Sequence, residues 1–205
     1  YSYGPEHGYA TMVRDAYAAW DRLFADLGQR LYRPTGQLLI GPPDDPWITG
    51  SIASLAALGI GHEVLSGGAA ARRFPMLDPD GIAHAVWTES GGVLLAAGIV
   101  AASVRHLRAR GIEVLEEARV VGLDLERALV RLEDGRTLGG DALVVAAGPW
   151  VGRLVPALAA RIVASRQVLA YVEPPAALAA DWRTAPMITD VLTGEASVFY
   201  AVPPV

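Results

Sequence analysis

Apolar residues at Val13, Ala16, Trp20, Phe24 and Leu27 recur at spacings of three and four, which sets them along one face of a helix running from Ala10 to Leu27. Gly28 supplies its stop. The pattern then shortens. The segment Gln37 to Ile40 reads as a short strand bracketed by Pro34, Gly36, Gly41, Pro42 and Pro43. A second helix is predicted from about Trp47 to Leu58. HEVLSGGAAARRFPML then reads as a strand end, a turn and a short helix closed by Pro75, and DPDG at 78–81 as a further turn.

Order is clearest in the middle of the chain. Val93 to Leu95 reads as a strand, and Val100, Val104 and Leu107 mark one stripe of a helix that Gly111 ends, with IEVL and RVVGLDL as short strands beyond it. ALVRLEDGRTLGG predicts a hairpin turning at Glu133, Asp134 and Gly135, where glycine supplies a positive φ. Asp141 to Ala147 is apolar without alternation, the pattern of a buried parallel strand covered on both faces by helices. Beyond Pro156, ARIVASRQVLAYVE and ASVFYAVPP alternate, separated by the Ala/Pro-rich EPPAALAADW, and predict a half-exposed antiparallel sheet. The fold class that follows is α/β plus α+β.

Composition narrows the function. The chain has 205 residues, is 52% hydrophobic and 19% charged, and carries a net charge of −5. That balance suits a globular protein and argues against a nucleic-acid partner. Pairs such as Arg72 with Arg73, or Arg108 with Arg110, read as solvated surface. With no cysteine there are no disulfides, thiolate metal sites or thiol nucleophiles. His7, His62, His84 and His106 are scattered, and no metal site is predicted. No apolar run approaches the roughly 18 to 20 residues that span a bilayer, and the first residues lack a signal segment, so a cytoplasmic protein without a membrane span is expected. Tyr1 stands where an initiator Met is usual, which suggests a chain that starts partway into something longer.

Two familiar motifs are missing: there is no G-x-S-x-G elbow and no Walker A sequence. GIGHEV at 59–64 has two glycines of a dinucleotide turn without the third and reads as a loop. The block from Gly92 to Leu154 remains, with its apolar run ending at Ala146, Ala147 and Gly148. Small residues at a strand's carboxyl end let the backbone approach a ligand. They also permit tight packing under a helix, and the pattern leaves both readings open.

The order of YGPEHGYATMVRDAYAAW, PTGQLLIG, ESGGVLLAAGIVAASVRHLRARGIEVLEEARVVGL, DALVVAAGPWVGRL and SRQVLAYVE resembles the amine-oxidising flavoproteins of the D-amino acid oxidase superfamily. Its likeness is greatest to the monomeric sarcosine oxidase and N-methyltryptophan oxidase group, and it covers nearly the whole chain. The resemblance implies a partial FAD-binding, Rossmann-like domain interleaved with an antiparallel-sheet substrate domain. On that reading, residues 1–30 form a helical segment bordering the flavin domain, 31–88 and 159–205 the two parts of the substrate domain, and 89–158 the partial FAD-binding domain. The family's G-x-G-x-x-G segment and its C-terminal segment have no counterpart here, so the chain is expected to be a central fragment.

The resemblance places Val120, Ala147, Gly148 and Trp150 at the FAD cleft, and Tyr3, Tyr9 and Tyr200 at the substrate pocket. Tyrosine rings would offer an apolar wall and a face for a substituted ammonium. It implies a parent enzyme that oxidises the C–N bond of a secondary or N-methylated amino acid by hydride transfer to flavin. Catalytic residues are expected to be absent from this portion, since the family's carboxylate-gripping basic residues fall outside it. Without cysteine, FAD cannot be attached through a thioether. The alternatives are a relative of glycine oxidase or D-amino acid dehydrogenase, and a non-catalytic folded fragment that self-associates through exposed strand edges.

Overall fold

A computed structural model describes residues 4–191 and 199–204. The chain divides into two compact units, Tyr1–Gly111 with Glu173–Val205, and Ile112–Val172.

The first unit opens with α1 (His7–Leu27), which buries Ala10 and Phe24 along the predicted stripe. Gly28 stops it at φ 68°, with its N–H donating to Ala25 O and the Gln29 N–H to Phe24 O. That pair of bonds satisfies carbonyls a helix end leaves bare. β1 (Tyr32–Arg33) and β2 (Gln37–Gly41) follow, then α2 (Pro46–Ala57). The Asp45 carboxylate accepts from the amides of Trp47 and Ile48 at 2.8 and 3.2 Å, and Pro46 takes the first helical position, where no N–H is needed. Next come β3 (Glu63–Leu65), α3 (Gly67–Arg73), β4 (His84–Thr88), β5 (Val93–Leu94) and α4 (Ala96–Ala109). After the second unit the chain returns through α6 (Ala179–Arg183), β9 (Met187–Asp190) and β10 (Phe199–Ala201).

Five strands form an open sheet in the order β10-β9-β2-β4-β3, all antiparallel except for the central pair β2 and β9. Every residue of β2 is buried, because both sheet faces are covered there. On one face Leu38, Ile40, Ala85 and Ile188 pack against Ala70, Phe74 and Ile82. On the other, Leu39, Val86 and Val191 pack against Ile48 and Leu55 of α2. Gln37, Thr88, Met187 and Thr189 share this second face by the register of the ladders.

The second unit holds a three-stranded meander, β6 (Val120–Asp124), β7 (Leu129–Leu132) and β8 (Thr137–Gly139), with α5 (Val151–Leu154) beside β6. Its turn is where the sequence places it, with Gly135 at φ 89°.

Three strand expectations are overturned. IEVL, Asp141 to Ala147 and ARIVASRQVLAYVE form no strand, and the run expected to be buried leaves Val144 87% exposed, with Val163 at 93% and Tyr171 at 94%. An extended segment becomes a strand only when a neighbour completes its backbone hydrogen bonds. Among the described residues none of the three has such a neighbour. ASVFYAVPP is antiparallel sheet over its described part, as β10, while 196–198 lie outside the described residues. β1, β4, β9 and α6 went unpredicted.

Candidate functional site

The first unit contains a cavity of about 490 Å³ between α1 and the part of the sheet face that α2 leaves open. The periodicity that makes α1 amphipathic also turns Val13, Ala16, Trp20 and Phe24 toward this space. Trp20 stacks on Phe24 with ring centroids 5.7 Å apart. Opposite them the sheet contributes Gln37, Met187, Thr189 and Tyr200. Trp47 of α2, Tyr32 of β1 and the Gly91–Gly92 turn close the sides.

The glycine turn is required by the geometry. A Cβ on Gly91 would meet Gln37 and the Gly36 backbone, and one on Gly92 would meet Tyr32 and the Arg33 carbonyl. Tyr17 fastens α1 to the same turn, its hydroxyl donating to the Ser90 carbonyl and lying 3.4 Å from the Tyr32 hydroxyl.

Asp21 and Arg30 are the charged residues of the lining, and they pair with each other at 2.9 Å on the exposed rim. Arg30 also lies over the Tyr32 ring, 5.5 Å from its centre. The wall is therefore electrically balanced: aromatic on the helix side, polar and neutral on the sheet side. On the sheet, the Gln37 amide Nε2 donates to Thr189 Oγ1 at 3.3 Å, and both residues are buried. Thr88, directly opposite Gln37 in the ladder, is buried with a hydroxyl that has no partner among the described residues. No group of three or more His, Asp or Glu side chains that could hold a metal occurs among the described residues.

Of the residues singled out for a substrate, Tyr200 lines the cavity. Tyr9 stands on α1, 54% exposed, and is not among the lining residues, while Tyr3 lies outside the described residues. Those singled out for FAD belong to the second unit. Val120 begins β6, half-buried and paired with Leu132. Ala147, Gly148 and Trp150 form a tight turn in which the Trp150 N–H donates to Ala147 O at 3.1 Å, leading into α5 beside β6. Gly148 has φ 51° and no atom within 4 Å of where a Cβ would stand, so its backbone is uncovered. An open backbone after an apolar run fits a large planar cofactor approached by main chain.

Tyr17, Trp20, Tyr32, Gln37, Trp47 and Thr189 were not foreseen as lining residues. One signal was available: Gln37 is a lone polar residue heading the apolar run LLI. Nothing local marks Thr189.

Solved structures share this fold. NikD, an unusual amino acid oxidase, matches with a TM-score of 0.61 at 24% identity, over 68% of this chain and 37% of that one. L-proline dehydrogenase from P. horikoshii matches with a TM-score of 0.65 at 18% identity, over 92% of this chain and 51% of that one. These likenesses show a fold shared with an amino acid oxidase and an L-proline dehydrogenase. All 205 residues, 1–205, match the family described as DAO, FAD dependent oxidoreductase, and the chain belongs to that family. Among curated relatives, peroxisomal sarcosine oxidase of Mus musculus is 29% identical over 74% of this chain and 39% of its own length. Monomeric sarcosine oxidase of Streptomyces avermitilis is 25% identical over 84% of this chain and 45% of its own length. The chain thus spans less than half the length of these relatives. No helix among the described residues is long and apolar enough to cross a membrane.

Proposed function

We propose that this chain carries the substrate-facing sheet and part of the FAD-flanking region of an oxidoreductase that acts on the C–N bond of a secondary or N-methylated amino acid. The observation that carries this reading is the cavity of about 490 Å³, aromatic on one wall and polar and neutral on the other. Its volume lies within the range of roughly 300 to 1,000 Å³ common for small-molecule pockets. The similarity to sarcosine oxidases supplies the substrate class.

On this reading Val120, Ala147, Gly148 and Trp150 hold FAD, largely through main chain. FAD, when bound, supplies the two-electron acceptor for oxidation of the substrate's C–N bond. The chain's own contribution is to bind, orient and dry the amine. Trp20, Phe24 and Val13 take its apolar part, and Tyr200 covers it from the sheet side. With Asp21 and Arg30 already paired, the wall holds no unbalanced charge to trap the amine as its ammonium.

The test is anaerobic mixing of the FAD-loaded protein with N-methylglycine or N-methyltryptophan. Loss of the visible flavin band is expected with at least one of them. Bleaching by primary amino acids alone would replace the N-methyl reading with a glycine oxidase-like one, and no bleaching by any amine would overturn both.

A further inference from the structure

We infer that Gln37 is a substrate-positioning residue whose side-chain carbonyl oxygen accepts a hydrogen bond from the amine N–H of the ligand. The inference rests on the reading of the first unit's cavity as the amine site. It starts from a directional chain across the cavity floor. Thr189 Oγ1 lies 3.5 Å from Met187 Sδ and donates to it, which turns the hydroxyl's lone pairs toward Gln37. The Gln37 Nε2 then donates to Thr189 Oγ1 at 3.3 Å. With the nitrogen so engaged, the orientation of the amide is set. Its oxygen accepts no hydrogen bond among the described residues, although Gln37 is only 9% exposed.

An acceptor that the protein leaves open in a largely buried residue takes its donor from whatever enters the cavity. The nearby Thr88 hydroxyl is also unpartnered among the described residues, so this end of the sheet face has hydrogen-bonding capacity to spare. The opposite wall is Val13, Trp20 and Phe24, whose single polar group is the Trp20 indole N–H, a donor that cannot accept from an amine. A ligand with one polar and one apolar end is therefore oriented with its polar end on the sheet. Of the two polar groups of an amino acid, the carboxylate only accepts, whereas the amine donates. The free oxygen of Gln37 selects the amine. Because an amide is neutral, it takes the N–H without strongly favouring the ammonium, which leaves the nitrogen lone pair available.

The experiment compares N-methylglycine with methoxyacetate, which has the same shape but an ether oxygen in place of the N–H. Binding is read from the emission of Trp20 and Trp47, both in the wall, in the protein and in Gln37→Leu and Gln37→Glu variants. The protein should prefer N-methylglycine, on the order of tenfold for one buried hydrogen bond. Gln37→Leu should lose most of that preference through weaker N-methylglycine binding, with methoxyacetate binding little changed. Gln37→Glu keeps an acceptor and should retain the preference, strengthening it as the new carboxyl ionises. If Gln37→Leu fails to fold, a Gln37→Glu variant with no preference and no pH dependence overturns the inference. An unchanged preference in a folded Gln37→Leu overturns it as well, while leaving the cavity as the amine site. If neither ligand alters the emission of the unmodified protein, the cavity reading itself fails.

Discussion

Gly36 abuts the six-membered ring of Trp87 so closely that a Cβ on it would overlap the indole. Its φ of 74° also belongs to the region that L side chains avoid. Gly36→Ala should therefore cost about 2–4 kcal/mol, from strain and overpacking together. Urea unfolding checks this, and a loss under about 1 kcal/mol would mean that Trp87 can move aside at little cost.

Two serines one turn apart on α2 hold Gly4, three residues before the start of α1 at His7. Ser51 Oγ accepts from the Gly4 N–H at 2.9 Å, and Ser54 Oγ donates to the Gly4 carbonyl at 3.2 Å, with both serines fully buried. Ser51→Ala leaves a buried N–H unsatisfied and should destabilise by about 1–3 kcal/mol. Early proteolytic cleavage near Gly4 in that variant, with the remainder intact, is the accompanying readout.

Tyr17→Phe should cost about 1 kcal/mol, since it removes the hydroxyl that bonds the Ser90 carbonyl and neighbours Tyr32. The ring stays, and so does its edge-to-face contact with Tyr32 at 6.0 Å. The change should therefore appear in thermal unfolding and leave the near-UV aromatic signal largely intact.

In the hairpin of the second unit, the Asp134 carboxyl is held below the ordinary aspartate range by hydrogen bonds from the Arg136 backbone N–H at 3.0 Å and its Nε at 2.7 Å. A carboxyl with a depressed folded value stabilises above its unfolded value, and that contribution fades as pH falls through the lowered one. Titration followed by carboxyl NMR should therefore show Asp134 with a low midpoint that rises in Arg136→Ala. A midpoint that Arg136→Ala leaves in place would refute the coupling.

Much of this was legible beforehand where the information is local. The stripe Val13, Ala16, Trp20, Phe24 marks α1, Gly28 marks its end, and the Asp134-Gly135 turn marks the hairpin, because each depends on residues a few positions apart. Asp141 to Ala147 was misread because an apolar run records that a segment is meant to be covered and says nothing of which strand will lie beside it. β9 escaped because four residues with a remote parallel partner carry no period to count. The same limit hid the floor of the cavity: Gln37 and Thr189 are adjacent in space and 152 positions apart in sequence. Family membership was legible because it rests on the order of many segments at once.

The pairing of β2 with β9 also sets a timetable. While the chain emerges from the ribosome, β2 can find β4 early, but its other edge stays bare until Met187–Asp190 has been translated. The whole stretch Ile112–Val172 is synthesised during that wait. Newly made chains thus pass through an interval in which the central strand offers an open edge to any passing polypeptide. Slow elongation across this stretch would lengthen that exposure, and a chaperone that shields the edge would raise the yield of native protein.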